Sequence, residues 1–237
     1  SLLANNILIE QRLGEGTCDF SSQAAMTLTQ VELGLDYGQR LVERSIKKGV
    51  DILLLGEMGI ANTSSASAIM SALTGNAVTD CVGVGTGITP KQLNDKVTLI
   101  SQALERIDSG KDKSSVLRVL SEVGGFEIVQ MVGAILAAAQ QALPIVVDGF
   151  IVSIAAFVAF KLDSNVKDYL IFSHLSQEKA HQLLLSEFNL PDNRKPLLNL
   201  ALRLGEGTGS ALALPIIQAA ASFYNDMASF ESAGVTV

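Results

Sequence analysis

Two glutamates set between glycines carry the most chemical promise: Glu206 in Arg203-Leu204-Gly205-Glu206-Gly207-Thr208-Gly209-Ser210, and Glu57 in Leu55-Gly56-Glu57-Met58-Gly59. Flanking glycines let the backbone approach a ligand closely, so a carboxylate held at such a bend can take a proton from a bound group. An acidic residue in the first turn of a helix is also favourable for the helix dipole alone, and for Glu206 in isolation that reading stands beside the catalytic one. Further candidates lie near short loops. Lys96 follows Gly83-Val84-Gly85-Thr86-Gly87 and reads most simply as a solvated helix residue. Asp148 closes an apolar run and either caps the next helix or serves a site. Ser176 reads as a helix N-cap, with contact to a phosphate as the alternative. His174 and His181 read as structural, and with Cys18 and Cys81 they show no spacing suited to zinc, so no metal site is expected.

These residues need elements to position them. Thr29 to Lys48 has apolar residues at helical spacing and Gly49 closes it. Val50 to Leu55, Val78 to Val84, Ile145 to Phe150 and Tyr169 to Phe172 read as short buried strands. Helices are expected at Ser64 to Leu73, Pro90 to Ile107, Ile128 to Leu143, Ile151 to Phe160, Gln177 to Phe188 and Gly209 to Phe230, the last apolar enough for a core or an interface. Alternating strands and helices predict an α/β fold: a doubly wound, Rossmann-like parallel sheet of at least four strands with helices on both faces. The loops after the strands should then share one crevice, bringing Glu57, the Gly83 to Gly87 loop, Asp148, Ser176 and Glu206 together.

The hexapeptide Arg12 to Thr17 repeats Arg203 to Thr208 letter for letter, but the flanks differ. A structural repeat would extend over tens of residues, so Glu15 is expected to be structural. Neither Gly83 to Gly87 nor any other stretch completes a dinucleotide or P-loop motif, and no cofactor is expected. The chain of 237 residues is 48% hydrophobic and only 17% charged, which suggests one domain with an additional buried interface. Residues 1–48 and 218–237 are candidates for a small helical appendage or a dimer contribution. A net charge of −7 argues against nucleic acid. Neither a convincing membrane span nor a signal peptide is recognisable, so a reduced, cytoplasmic setting is expected.

Four segments together resemble one family. They are Gly56 to Ile69 (GEMGIANTSSASAI), Glu122 to Ala139 (EVGGFEIVQMVGAILAAA), Pro144 to Ala156 with Tyr169 to His181 (PIVVDGFIVSIAA and YLIFSHLSQEKAH), and Leu202 to Ile217 (LRLGEGTGSALALPII). In this order they resemble the nicotinate-nucleotide:dimethylbenzimidazole phosphoribosyltransferases, which make the lower-ligand nucleotide of cobamides. The resemblance implies a doubly wound parallel sheet with a small helical domain, and a homodimer. It places the general base on Glu206 and a second acid, near ribose and acceptor, on Glu57. It draws the phosphate site from Gly59, Lys96 and Ser176, lines the donor pocket with Gly85 and Asp148, and lays Leu204 against the acceptor ring.

The implied reaction moves a 5-phosphoribosyl group from nicotinate mononucleotide to 5,6-dimethylbenzimidazole or a related base. The donor's pyridinium bond is already activated and the acceptor must lose a ring proton, so one well-placed carboxylate suffices. Desolvation beneath an apolar acceptor is expected to make Glu206 more basic. The alternatives are a paralogue using a phenol or purine acceptor, and a non-catalytic binding or partner subunit. The sequence departs from the family in three ways: it starts after an upstream region that supplies part of the family's acceptor pocket, it has Ala61 where other members carry glycine, and it reads VGVGTG where they read TGRGTG.

Overall fold

The computed structural model describes residues 8–83, 87–108, 116–191, 194–230 and 232–234. Its first helix, α1 (Leu28–Ile46), is opened by a capping box: the Thr27 side chain accepts from Gln30 N and the Gln30 side chain accepts from Thr27 N. α1 packs along α6 (Phe126–Gln140) at backbone distance. A Cβ on Gly38 would strike the Gln130 carbonyl, and one on Gly133 would strike that of Leu35.

Three parallel strands form an open sheet in the order β1 (Leu53–Leu54), β2 (Ile145–Val147), β3 (Leu170–Phe172), with Leu53 beside Ile145 and Ile145 beside Leu170. Helices α2 (Thr63–Thr74), α3 (Val78–Cys81), α4 (Pro90–Asp108), α5 (Val116–Val123) and α6 connect β1 to β2. α7 (Phe150–Leu162) and a 3-10 turn at Ser164–Tyr169 connect β2 to β3, and α8 (Lys179–Ser186) and α9 (Thr208–Asp226) follow. β2 is buried at every position, which is why its sequence is a continuous apolar run rather than an alternating one. α7 is equally apolar and buried over Phe150 to Ala159. Phe157, Phe160 and Phe172 converge on Phe188 with ring centroids 5.1 to 5.6 Å apart, tying α7, β3 and the segment after α8 into one core.

The α/β expectation holds, with helical crossovers between parallel strands. Two details differ. Val78 to Cys81 is a helical turn, so the described residues contain three strands rather than four or more. A short apolar run cannot be told from a helical turn by periodicity, and here Cys81 alone is buried while Asp80 occupies the first turn. α9 does not enter the core of this chain: only Gly209, Ser210 and Ala213 are buried, and Phe223 and Tyr224 are 70% and 90% exposed. Among the described residues no helix is long and apolar enough to cross a membrane.

Candidate active site

The carboxyl ends of the three strands lead to Gly56-Glu57, to Asp148, and to His174 with Ser176. The sheet thereby delivers these residues to one edge, where the loop before α9 joins them. Gly56 follows β1 at a point where a Cβ would run into the backbone of Glu206 and Gly207. The two glycine–glutamate loops thus lie backbone against backbone, and Glu206 N donates to Glu57 O at 3.2 Å.

Gly205, Glu206 and Gly207 are all left-handed, with φ of 71°, 61° and 77°. For glutamate that region costs roughly 1–2 kcal/mol, so something outside the loop must hold it. Asp148 does so. Its Oδ2 accepts from Gly207 N at 3.1 Å and its Oδ1 from Ser210 N at 3.2 Å, while Ser210 Oγ donates toward the carbonyls of Leu55 and Val146 at 3.3 and 3.2 Å. His174 Nε2 lies 3.5 Å from Asp148 Oδ1, and a Cβ on Gly209 would collide with that imidazole. Burial pushes the Asp148 carboxyl up, but His174 and the amides of Ser210 and Gly207 outweigh it and hold the carboxyl below its ordinary value. Asp148 lines the cleft and is also the anchor of the Glu206 loop.

The two glutamates occupy different environments. Burial pushes the Glu57 carboxyl up; Asn62 Nδ2, donating to its Oε2, opposes this, and the charges of Glu127, Asp148 and Glu206 add to it. Glu206 is exposed. The desolvation expected at Glu206 once a ring covers it therefore acts on Glu57 in this structure.

Both glutamates line a cleft of about 1040 Å³ together with Gly59, Lys96, Asp148, Ser176 and Leu204. A volume of this order is at the upper end of the range of small-molecule sites. Lys96 is not a freely solvated helix residue: its Nζ donates to Thr63 Oγ1 at 2.8 Å, and burial pushes its amine down from the ordinary value. Ser176 does not N-cap α8, a position held by Glu178. Its Oγ accepts from Glu178 N at 3.2 Å and its own N donates to His181 Nδ1 at 2.9 Å. That bond leaves the His181 proton on Nε2, 2.9 Å from Ser153 Oγ, and burial lowers the histidine to about 3, keeping it neutral. Leu204 stands 68% exposed beside Glu206. Gly85 lies outside the described residues.

Sequence reasoning missed four contributors to this cleft: Glu127, Glu178, Asn62 and the Gly16 to Ser21 segment. For Glu127 the available signal was Gly124-Gly125-Phe126-Glu127 at a helix start, the same pairing of glycine with acid that marked Glu57 and Glu206. The segment Gly16 to Ser21 gave no local signal, because α1 and α6 bring it to the cleft across more than a hundred residues of chain.

A family model described as phosphoribosyltransferase matches residues 2–235. The chain belongs to this phosphoribosyltransferase family. It is 56% identical over 97% of its length to a nicotinate-nucleotide–dimethylbenzimidazole phosphoribosyltransferase of Vibrio parahaemolyticus, covering 64% of that protein. It is 52% identical over 97% of its length to the protein of the same name from Shewanella piezotolerans, covering 66% of it. A crystal structure of CobT from Thermus thermophilus superposes with a TM-score of 0.89 at 38% identity, over 97% of this chain and 66% of that one. The chain thus spans just under two thirds of the length of the Vibrio relative. Ala61 has φ 70°, a left-handed conformation that glycine adopts without strain and alanine rarely does. Half of the departing VGVGTG loop, Val84 to Thr86, lies outside the described residues.

Proposed function

We propose that this chain carries the site that transfers the 5-phosphoribosyl group of nicotinate mononucleotide to 5,6-dimethylbenzimidazole or a related base, giving α-ribazole 5′-phosphate and nicotinate. The observation that carries this reading is the pair of glutamates held over one cleft by the Glu206 N to Glu57 O bond and by the Asp148 anchor. In the proposed step the acceptor nitrogen's lone pair forms a bond to C1′ of the ribosyl group. The C1′–N bond to nicotinate breaks, and its electron pair returns to the pyridinium ring, which leaves neutral at nitrogen. The acceptor's ring proton passes to the Glu206 carboxylate. Glu57, less acidic than an ordinary glutamate, faces the same space and supports the charge that builds on ribose and acceptor. Gly59, Lys96 and Ser176 would receive the phosphate, and Leu204 the acceptor ring. The donor carries its own activated leaving group, so the step requires no cofactor.

A homodimer in the cytoplasm belongs to the same reading. The exposed apolar side chains of α9 support a covering surface, and light scattering of the full chain reads the assembly. The deciding experiment incubates the chain with nicotinate mononucleotide and dimethylbenzimidazole and measures both products. Equal amounts of nicotinate and the α-configured nucleotide are expected. No product at any protein concentration overturns the reading, and faster turnover with a phenol or a purine in competition reassigns the acceptor.

A further inference from the structure

Gly83 lies against two opposite charges. Lys96 Nζ reaches its carbonyl oxygen at 3.5 Å while donating to Thr63 Oγ1, and the Glu178 carboxylate lies so close to its Cα that a Cβ on Gly83 would run into Oε1. Glu178 lines the cleft, is only 8% exposed, and has no hydrogen-bond partner for Oε1 among the described residues. An unpartnered buried carboxylate oxygen is costly, and a positive charge nearby offsets that cost. Helix capping does not account for it: Glu178 occupies the N-cap position of α8, yet its side chain makes no cap bond.

We propose that Glu178 is a positioning residue for the anion end of the cleft: from its place against Gly83 its charge keeps Lys96 an ammonium able to hold a phosphoryl group. This rests on the reading of the cleft as a mononucleotide site. Burial acts against the Lys96 charge, and Glu178 is the group that opposes that loss. The other charged groups of the surrounding elements are placed differently. Asp95 lies on α4 beside Lys96, and Glu57 and Glu127 also line the cleft. Asp80 on α3 is 3.6 Å from Lys179 at the surface, and Asp148 is engaged by His174 and two amides. Cys81 on α3, its thiol pushed up to about 11, and the neutral His181 of α8 supply no charge.

The test compares the wild-type full chain with Glu178→Gln and Glu178→Asp, reading KM for nicotinate mononucleotide and kcat from pH 7 to 9.5. In parallel, NMR of ¹³Cε-labelled lysine follows the titration of Lys96. Glu178→Gln is expected to lower the Lys96 midpoint by about one pH unit. It should raise KM about 5- to 10-fold near pH 9, with kcat at saturation within about two-fold. Glu178→Asp keeps the charge and should stay close to wild type. A steric role predicts the reverse order, with the isosteric glutamine tolerated and aspartate impaired, and that result overturns the proposal. So do superimposed KM profiles or an unmoved Lys96 midpoint. If wild type turns over no mononucleotide but the midpoint moves, the charge pairing stands and the functional reading falls. Should Glu178→Gln fail to fold, the Glu178→Gln/Lys96→Met variant decides: recovery supports the pairing, and failure assigns Glu178 to the fold.

Discussion

The same six residues occur at Arg12 to Thr17 and at Arg203 to Thr208, and the two copies fold differently. In the first, Gln30 Nε2 donates to Leu13 O at 2.9 Å and Gly14 rests against the Phe126 ring. None of Gly14, Glu15 and Gly16 has a positive φ, and a Cβ on Gly16 would meet nothing within 4 Å. In the second, Gly205, Glu206 and Gly207 are all left-handed, pressed against Gly56 and hooked by Asp148. Glycine permits the left-handed triplet in both copies, but only the second has a buried carboxylate and a facing glycine to select it. A glycine–glutamate motif becomes a site through the strand ends it meets.

The largest expected effect contrasts the two glutamates. Glu206→Gln should lower kcat about 100-fold or more and leave mononucleotide binding nearly intact, because the proposed step loses its base while the side chain's shape is kept. Glu15→Gln should stay within about two-fold of wild type. Comparable losses in both variants would break the distinction between the copies and return Glu206 to the role of a helix-start residue.

A smaller effect contrasts the two trailing glycines. Gly207→Ala places a Cβ at φ 77° and should cost about 1–2 kcal/mol in chemical denaturation, with activity reduced as the loop shifts from Asp148. Gly16→Ala has a negative φ and open space and should stay within about 0.5 kcal/mol. A neutral Gly207→Ala would mean that the loop is not held in the left-handed conformation in solution.

The contrast between the copies also shows what a sequence discloses by itself. Strand ends and glycine loops are legible because Leu53-Leu54, Ile145 to Val147 and Leu170 to Phe172 are short apolar runs that reach Gly56, Asp148 and His174 within two residues of their ends. Glu57 and Glu206 stand out by their flanking glycines. The dual position of Asp148 is not legible, because its hydrogen bonds cross 59 and 62 residues to amides that any sequence carries. Glu178 is hidden by its neighbours: Ser176 and Lys179 form a plausible helix start that gives no hint of a carboxylate turned toward Gly83. Val78 to Cys81 misleads because Val78, Thr79 and Cys81 fit either a strand or one helical turn. The apolar composition of α9 is plain in the sequence, but composition does not say whether the helix packs into the core of its own chain.

The smallest expected effect lies in the coupling between the two glutamate loops. Burial, with the neighbouring carboxylates adding to it, keeps a proton on Glu57 to a higher pH in the folded chain than the ordinary glutamate value of 4.5. From that value up to the raised one, the folded state binds more protons than the unfolded state, so stability falls as pH rises through the window. Ionised Glu57 is thus a net cost to stability at neutral pH. Glu57→Gln should raise Tm by about 1–3 °C at pH 7, and the difference should close as pH approaches about 4, where the wild-type carboxyl is protonated in both states. Glu206→Gln removes one of the charges acting on Glu57 and should give a smaller rise with the same pH dependence. Glu15 is not among those charges, and Glu15→Gln should leave the Tm–pH curve unmoved. Equal curves for Glu206→Gln and Glu15→Gln would show that the 203–208 loop and the Glu57 loop are electrostatically independent, despite the backbone hydrogen bond that joins them.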